Sequence, residues 1–178
     1  MNPAMHRDEI MKKRILIVDD DTSVRDALKK LLKKANYDAS VAGDGLEAVE
    51  HFFSEHFDLL ILDLDMPRKD GWAASENITR LNPYVPIVIM TGLPDQYAIA
   101  SAAGAGAIFE KPFDPEDLLG TINGLLEEPR SNHWLRRRSW LQDARLIPKT
   151  KIVARRRIGN RSMIQCRLTA PDNRTLVG

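Results

Sequence analysis

Asp19, Asp20, Asp63, Thr91 and Lys111 are the residues of this 178-residue chain whose types and positions could do chemistry together. Each closes or closely follows a short apolar run. Arg14–Val18 (RILIV) runs into Asp19-Asp20-Asp21, Leu59–Leu62 into Asp63, Pro86–Met90 (PIVIM) into Thr91-Gly92, and Ala107–Phe109 into Glu110-Lys111-Pro112. Runs this short, apolar and β-branched read as buried parallel strands. If the strands share a sheet, three carboxylates, a hydroxyl and an ammonium meet at one edge. Carboxylates held a few ångströms apart either raise a pKa or bind a hard cation. Asp oxygens with a carbonyl and waters suit Mg²⁺, which keeps open positions for phosphate oxygens. Lys111 supplies a point charge and Thr91 a donor for those oxygens. A carboxylate beside a divalent cation can also attack phosphorus, giving an aspartyl phosphate. Asp63, on the central strand with Asp19 and Asp20 beside it, is the nucleophile this arrangement favours.

The elements between these runs alternate with them. Val24, Ala27, Leu28, Leu31 and Leu32 lie at helical spacing after Asp21 or Thr22, which reads as the N-cap. Tyr37–Ala42 reads as a second strand and Gly43-Asp44-Gly45 as a turn, with a helix marked by Leu46, Val49, Phe52 and Phe53. A loop over Pro67–Gly71 leads to a helix ending near Leu81. Pro94–Ala103 reads as a short Ala-rich helix, and Asp114 opens a last one carrying Leu118, Ile122 and Leu125 inward. Five strand–helix units with right-handed crossovers make an open, doubly wound α/β sheet. Function in such sheets sits beyond the carboxyl ends of the strands.

The runs Ile15–Asp21 (ILIVDDD), Leu59–Gly71 (LLILDLDMPRKDG), Val88–Gly92 (VIMTG) and Glu110–Phe113 (EKPF) resemble the receiver domain of two-component response regulators, across residues 12–127. The resemblance implies a five-stranded parallel sheet in the flavodoxin-like order 2-1-3-4-5 with five helices. It implies Asp63 as phospho-acceptor, Asp20 as a direct Mg²⁺ ligand and Asp19 partly through water. It implies the Asp65 main-chain carbonyl as a further ligand, Thr91 as switch hydroxyl, Lys111 as the salt-bridging lysine, and a cis Lys111–Pro112 bond. One position departs from the family. Where an aromatic usually stands three residues before the lysine, this chain has Ile108, and the aromatic is Phe109. Strand alternation points Phe109 to the opposite face, so the conformational readout, not the phosphorylation chemistry, is expected to differ.

Plainer readings exist for each residue alone: Asp19–Asp21 as helix caps near a positive macrodipole end, Asp65 as a loop acid with a free side chain, Lys111 as a solvated turn lysine. Their coincidence at four strand ends argues against them. His51, His56 and His133 have no partner spacing and read as surface residues. Asp63-Leu64-Asp65 also resembles the nucleophile motif of haloacid-dehalogenase-type phosphatases. That motif belongs to a first strand, however, and has Thr or Val where this chain has Pro67. No Walker loop or GxGxxG is present.

A hydrophobic content of 43% and a charged content of 29% exclude a collagen, a coiled coil or a wholly disordered chain. The single Cys166 excludes an intramolecular disulfide, and with four His makes a structural zinc site unexpected. No stretch approaches the ~18 apolar residues of a membrane span, and residues 1–14 have no apolar signal-peptide core, so the expected compartment is cytoplasmic.

The net charge of +1 hides an asymmetry: residues 1–128 hold 13 basic and 23 acidic side chains, a net of −10, while residues 129–178 hold 13 basic and 2 acidic, a net of +11. This divides a 12–128 receiver from a 129–178 basic extension. The extension has clusters at Arg136–Arg138 and Arg155–Arg157 and tryptophans at 134 and 140. It shows no helix-turn-helix pattern. It is expected to be mostly disordered or to form a small hairpin of Ile152–Ile158 and Ser162–Leu168 around Gly159-Asn160. The expected function is a Mg²⁺-dependent phospho-acceptor switch rather than a turnover enzyme. Expected partners are a sensor histidine kinase or histidine phosphotransfer protein and a downstream protein target, the chain being a monomer or an activation-dependent dimer. The alternative is a transcriptional regulator that binds nucleic acid through residues 129–178.

Overall fold

A computed structural model describes residues 12–66, 70–92, 104–134, 154–158 and 161–167, of which 70–72 and the last two segments are described by backbone alone. The expected helix over Pro94–Ala103, loop residues 67–69, Arg136–Arg138, Trp140 and the Gly159-Asn160 turn lie outside the described residues. Strands β1 (Arg14–Val18), β2 (Asp38–Ala42), β3 (Leu59–Asp63), β4 (Ile87–Thr91) and β5 (Ala107–Glu110) pair in parallel in the order β2-β1-β3-β4-β5. Helices α1 (Thr22–Lys34), α2 (Gly45–Ser54), α3 (Asp70–Leu81) and α4 (Pro115–Glu127) pack around them. The expected fold class holds, including the strand order.

Strand alternation divides the core into two layers. Leu16, Val18, Leu60, Leu62, Ile87, Ile89 and Ile108 pack with Ala48 of α2 and Ala74 and Ile78 of α3. Ile15, Ile17, Leu59, Ile61, Val88, Met90 and Phe109 pack with Leu28 and Leu32 of α1 and Leu118, Ile122 and Leu125 of α4. Both sheet faces are therefore covered, which is why strands β3 and β4 are buried at every position and read as continuous apolar runs. Each such Leu or Ile stabilises the fold by about 1.5–3 kcal/mol on burial.

Local signals place the helix ends. Asp21 caps α1 by accepting from the Ser23 backbone N–H. At the far end Asn36 adopts φ 66°, its N–H donates to the Lys33 carbonyl and the Tyr37 N–H to the Leu32 carbonyl. That is a Schellman termination, and Asn tolerates its left-handed residue better than most. Asp44 caps α2 through the Glu47 N–H at 2.9 Å, while the Glu47 carboxylate accepts from the Gly43 N–H at 2.6 Å. The outcome is a β1–α1–β2–α2–β3 path that delivers Asp19 and Asp63 to the same edge.

Beyond the receiver, residues 130–134 are helical. Strands β6 (Ala154–Ile158) and β7 (Arg161–Arg167) then form an antiparallel pair, and β7 pairs antiparallel with β5, Ile108 standing opposite Cys166. The sheet thus reads β2-β1-β3-β4-β5-β7-β6. His133, expected at the surface, is 4% exposed. It lies 4.0 Å from the Glu128 carboxylate and lines a cavity with Phe57, Tyr84, Leu125 and Leu126. Among the described residues no helix is long and apolar enough to cross a membrane.

Candidate functional site

Strand register places the site. Val18 pairs with Leu62, and Asp63 pairs with Met90, so the residues just beyond β1, β3 and β4 stand side by side. Thr91 pairs with Glu110, which puts Lys111 one residue past the same edge. The Lys111 ammonium then bridges two carboxylates: its Nζ lies 2.7 Å from Asp63 Oδ2 and 2.9 Å from Asp19 Oδ2. Asp19 and Thr91 are fully buried and Asp63 is 2% exposed. The bond between Lys111 and Pro112 is cis.

Burial pushes the Asp19 carboxyl above its ordinary range, with the Lys111 ammonium and the Asp21 N–H acting against that rise and the neighbouring Asp63 charge adding to it. Desolvation works to lower the Lys111 pKa, but hydrogen bonds to Asp63 and Asp19 outweigh it, and the ammonium is held above its ordinary value. The remaining lone pairs are also engaged. Asp19 Oδ1 accepts from the Asp21 N–H at 2.9 Å, and Asp63 Oδ1 accepts from the Asp65 N–H at 3.1 Å. Arg25 of α1 donates to the Asp19 carbonyl and, at 2.9 Å, to the Thr22 hydroxyl, tying the first loop to its helix.

Asp19, Asp20 and Asp63 each offer a carboxylate oxygen within 4.8 Å of the others, Asp20 being exposed. One ammonium cannot neutralise three carboxylates. An all-oxygen donor set, buried on two sides and open at Asp20, fits a hard divalent cation that retains waters. The residues singled out by their spacing are thus brought together: Asp19, Asp20, Asp63, Thr91 and Lys111 share one edge, with Asp65 beside them.

Two features were not foreseen. The Asp65 side chain, expected to be free, accepts from the Thr91 hydroxyl at 3.2 Å and from the Gly92 backbone N–H. The Arg25 anchor was also missed. The available signal for the first was Gly92 itself, a side-chain-free residue directly after the candidate switch hydroxyl. The departure at 108 takes the form expected: Ile108 is buried in the α2/α3 layer. Phe109 lies in the opposite layer, edge-on to Phe113 with ring centroids 5.8 Å apart.

The family model for the response regulator receiver domain matches residues 15–123. This chain belongs to the response regulator receiver family. Residues 15–123 are thus a receiver domain, the phospho-accepting switch module of response regulators. The receiver is 38% identical over 120 residues to "Probable transcriptional regulator ycf27" of Cyanophora paradoxa, covering 66% of this chain and 50% of that protein. It is 35% identical over 122 residues to the response regulator MprA of Mycobacterium ulcerans, covering 67% and 53%. The chain therefore spans about half the length of the curated relatives it matches. Among solved structures, a CheY-like receiver protein from Methanospirillum hungatei superposes with TM-score 0.62 at 33% identity, covering 65% of this chain and 94% of that one. The Mg²⁺–BeF complex of TrrA from Thermotoga maritima superposes with TM-score 0.59 at 32% identity, covering 64% and 98%.

Proposed function

We propose that Asp63 of this receiver takes a phosphoryl group from a phosphohistidine on a sensor kinase or phosphotransfer protein. The observation that carries this is the Lys111 ammonium bridging buried Asp63 and Asp19 at the carboxyl edge of the sheet. A bond forms between an Asp63 carboxylate oxygen and phosphorus. The phosphorus–nitrogen bond of the donor breaks, its electron pair returning to the imidazole. Lys111 and the Asp65 N–H hold the two Asp63 oxygens, so the nucleophile is oriented before the donor arrives. Asp19, Asp20, Asp63 and the Asp65 carbonyl would hold Mg²⁺, whose charge offsets the negative charge on the transferring group. Lys111 stabilises the oxygens of the transferring group, and the Thr91 hydroxyl a phosphoryl oxygen of the product. The same groups support self-phosphorylation from small phosphodonors and hydrolysis of the aspartyl phosphate.

The product biases a two-state equilibrium that a partner protein reads on the receiver surface. With Ile108 in place of an aromatic, the readout runs through Thr91 and its loop without a ring turning inward. The test is labelling by acetyl phosphate and Mg²⁺. Wild type is expected to gain one phosphoryl group of mass and Asp63→Asn none. Full labelling of that variant would sink the assignment.

A second output is supported by the transcriptional-regulator relative and by the +11 charge of residues 129–178: binding of nucleic acid through the basic extension. If so, the full chain binds duplex DNA with affinity falling steeply as salt rises, and beryllofluoride with Mg²⁺ changes that affinity. Absence of binding at physiological salt leaves the protein partner as the output.

A further inference from the structure

We propose that the Asp65 carboxylate is a latch that holds the Thr91 hydroxyl off the phosphoryl site until Asp63 is phosphorylated. This rests on the assignment of Asp63 as acceptor. The latch is a two-point contact. Thr91 Oγ1 donates to Asp65 Oδ1 at 3.2 Å, and the next residue, Gly92, donates its backbone N–H to Asp65 Oδ2. A hydroxyl has one proton to give. While Thr91 spends it on Asp65, it cannot donate to an oxygen on Asp63.

The contact also depends on the residue type at 92. A Cβ there would lie 2.9 Å from Asp65 Oδ2, closer than such a carbon comes to an oxygen in a relaxed structure. A Cβ at 92 would make the carboxylate give way from the amide.

The latch is placed to sense the chemistry. The Asp65 N–H donates to Asp63 Oδ1 at 3.1 Å, so the residue that grips the switch also touches the acceptor. A phosphoryl group on Asp63 brings up to about two negative charges beside the Asp65 carboxylate. Like charges repel, and the phosphoryl oxygens offer the hydroxyl a competing acceptor. Both effects push Asp65 away and draw Thr91 across, freeing the Gly92 amide at the same time. Asp65 is then a positioning residue: it acts through Thr91 and sets how far the resting equilibrium lies from the active arrangement.

The experiment is titration of the full chain with beryllofluoride at saturating Mg²⁺, with the residue-92 amide followed by ¹H–¹⁵N NMR before ligand is added. Asp65→Ala removes the latch together with its charge. Gly92→Ala displaces the carboxylate and keeps the charge. Each is expected to tighten beryllofluoride by about three- to tenfold, the span of a hydrogen-bonded contact to a partly solvated carboxylate. Each should move the unliganded residue-92 amide towards its ligand-bound position, and the double variant should be no tighter than Asp65→Ala alone. Should Gly92→Ala fail to fold, Asp65→Glu replaces it. Its longer side chain keeps the charge and moves the carboxylate off the two-point contact, so it too should tighten binding. If Asp65→Ala tightens binding while the charge-retaining Gly92→Ala does not, only charge is at work and the latch is wrong. Unchanged affinity in both variants also overturns it. Wild type that does not bind beryllofluoride, or Asp63→Asn that binds as well as wild type, would instead overturn the acceptor assignment beneath it.

Discussion

Ion pairs at the two ends of the sheet do different work. At the carboxyl edge, Lys111 holds together two carboxylates that burial alone would set against each other. At the amino edge, Asp58 accepts from the Arg14 backbone N–H and from the Lys13 ammonium, both at 2.9 Å. Desolvation raises the Asp58 pKa, but these donors outweigh it and hold the carboxyl below its ordinary range. A carboxyl whose pKa is lower folded than unfolded contributes stability that is present above the unfolded value and lost as pH falls through the folded one. Asp58→Ala is therefore expected to cost about 1–2 kcal/mol at pH 7. Urea unfolding at stepped pH should show the gap to wild type narrowing once pH drops below about 4; a gap constant to the acid limit would show packing, not charge, at that position.

At the level of elements, the β5–α4 layer depends on a close approach that only a small residue allows. A Cβ on Gly106, just before β5, would lie 2.7 Å from one methyl of Leu125 and 3.1 Å from the other. Leu125 is fully buried in the α1/α4 layer and has little room to give. The Gly106 N–H also donates to the Ile87 carbonyl at 2.7 Å, seating the entry to β5 on β4. Gly106→Ala is thus expected to destabilise by about 1–3 kcal/mol through overpacking, read as a lower denaturation midpoint with an unchanged denaturant slope. Because β5 delivers Lys111 to the site, where its ammonium competes with a cation for Asp19 and Asp63, the same variant should change Mg²⁺ affinity. A shift in α4 without a shift in β5 would leave metal affinity intact and refute that coupling.

Across the whole molecule, an acidic receiver of net −10 carries a basic extension of net +11, and the hairpin of that extension completes the sheet at β5. An open edge strand presents unpaired N–H and C=O groups; here β7 pairs with Ala107, Ile108 and Phe109. Chain shortened to end after residue 134 should show exchange of the β5 amides accelerated by about tenfold or more, while those of β3, paired on both sides, stay as they were. If charge attraction helps to seat the hairpin, raising salt should speed β5 exchange in the intact chain too, since screening acts within about 10 Å at 0.1 M. Equal β5 protection in the short and full chains would show that the hairpin does not hold that edge.

Much of this protein is legible from its residues alone. Parallel strands buried on both faces must be apolar throughout, and polar groups that end them abruptly must belong to the strand ends. That is why the strand-ending positions of Asp19, Asp63, Thr91 and Lys111 place them at one edge, and why the alternation of Ile108 and Phe109 predicts their opposite layers. What the tertiary structure decided are contacts between segments far apart in sequence whose side chains carry no periodic signal. Asp65 and Gly92 lie 27 positions apart, and nothing in a loop acid two residues past a strand says which neighbour it will grip. His133 is buried where the turn after α4 lines a cavity with Phe57, Tyr84 and Leu126, and β7 joins β5 although β2 is an equally open edge. Pattern specifies which side chains face inward; the packing of one loop on another is set by the shape of the assembled sheet.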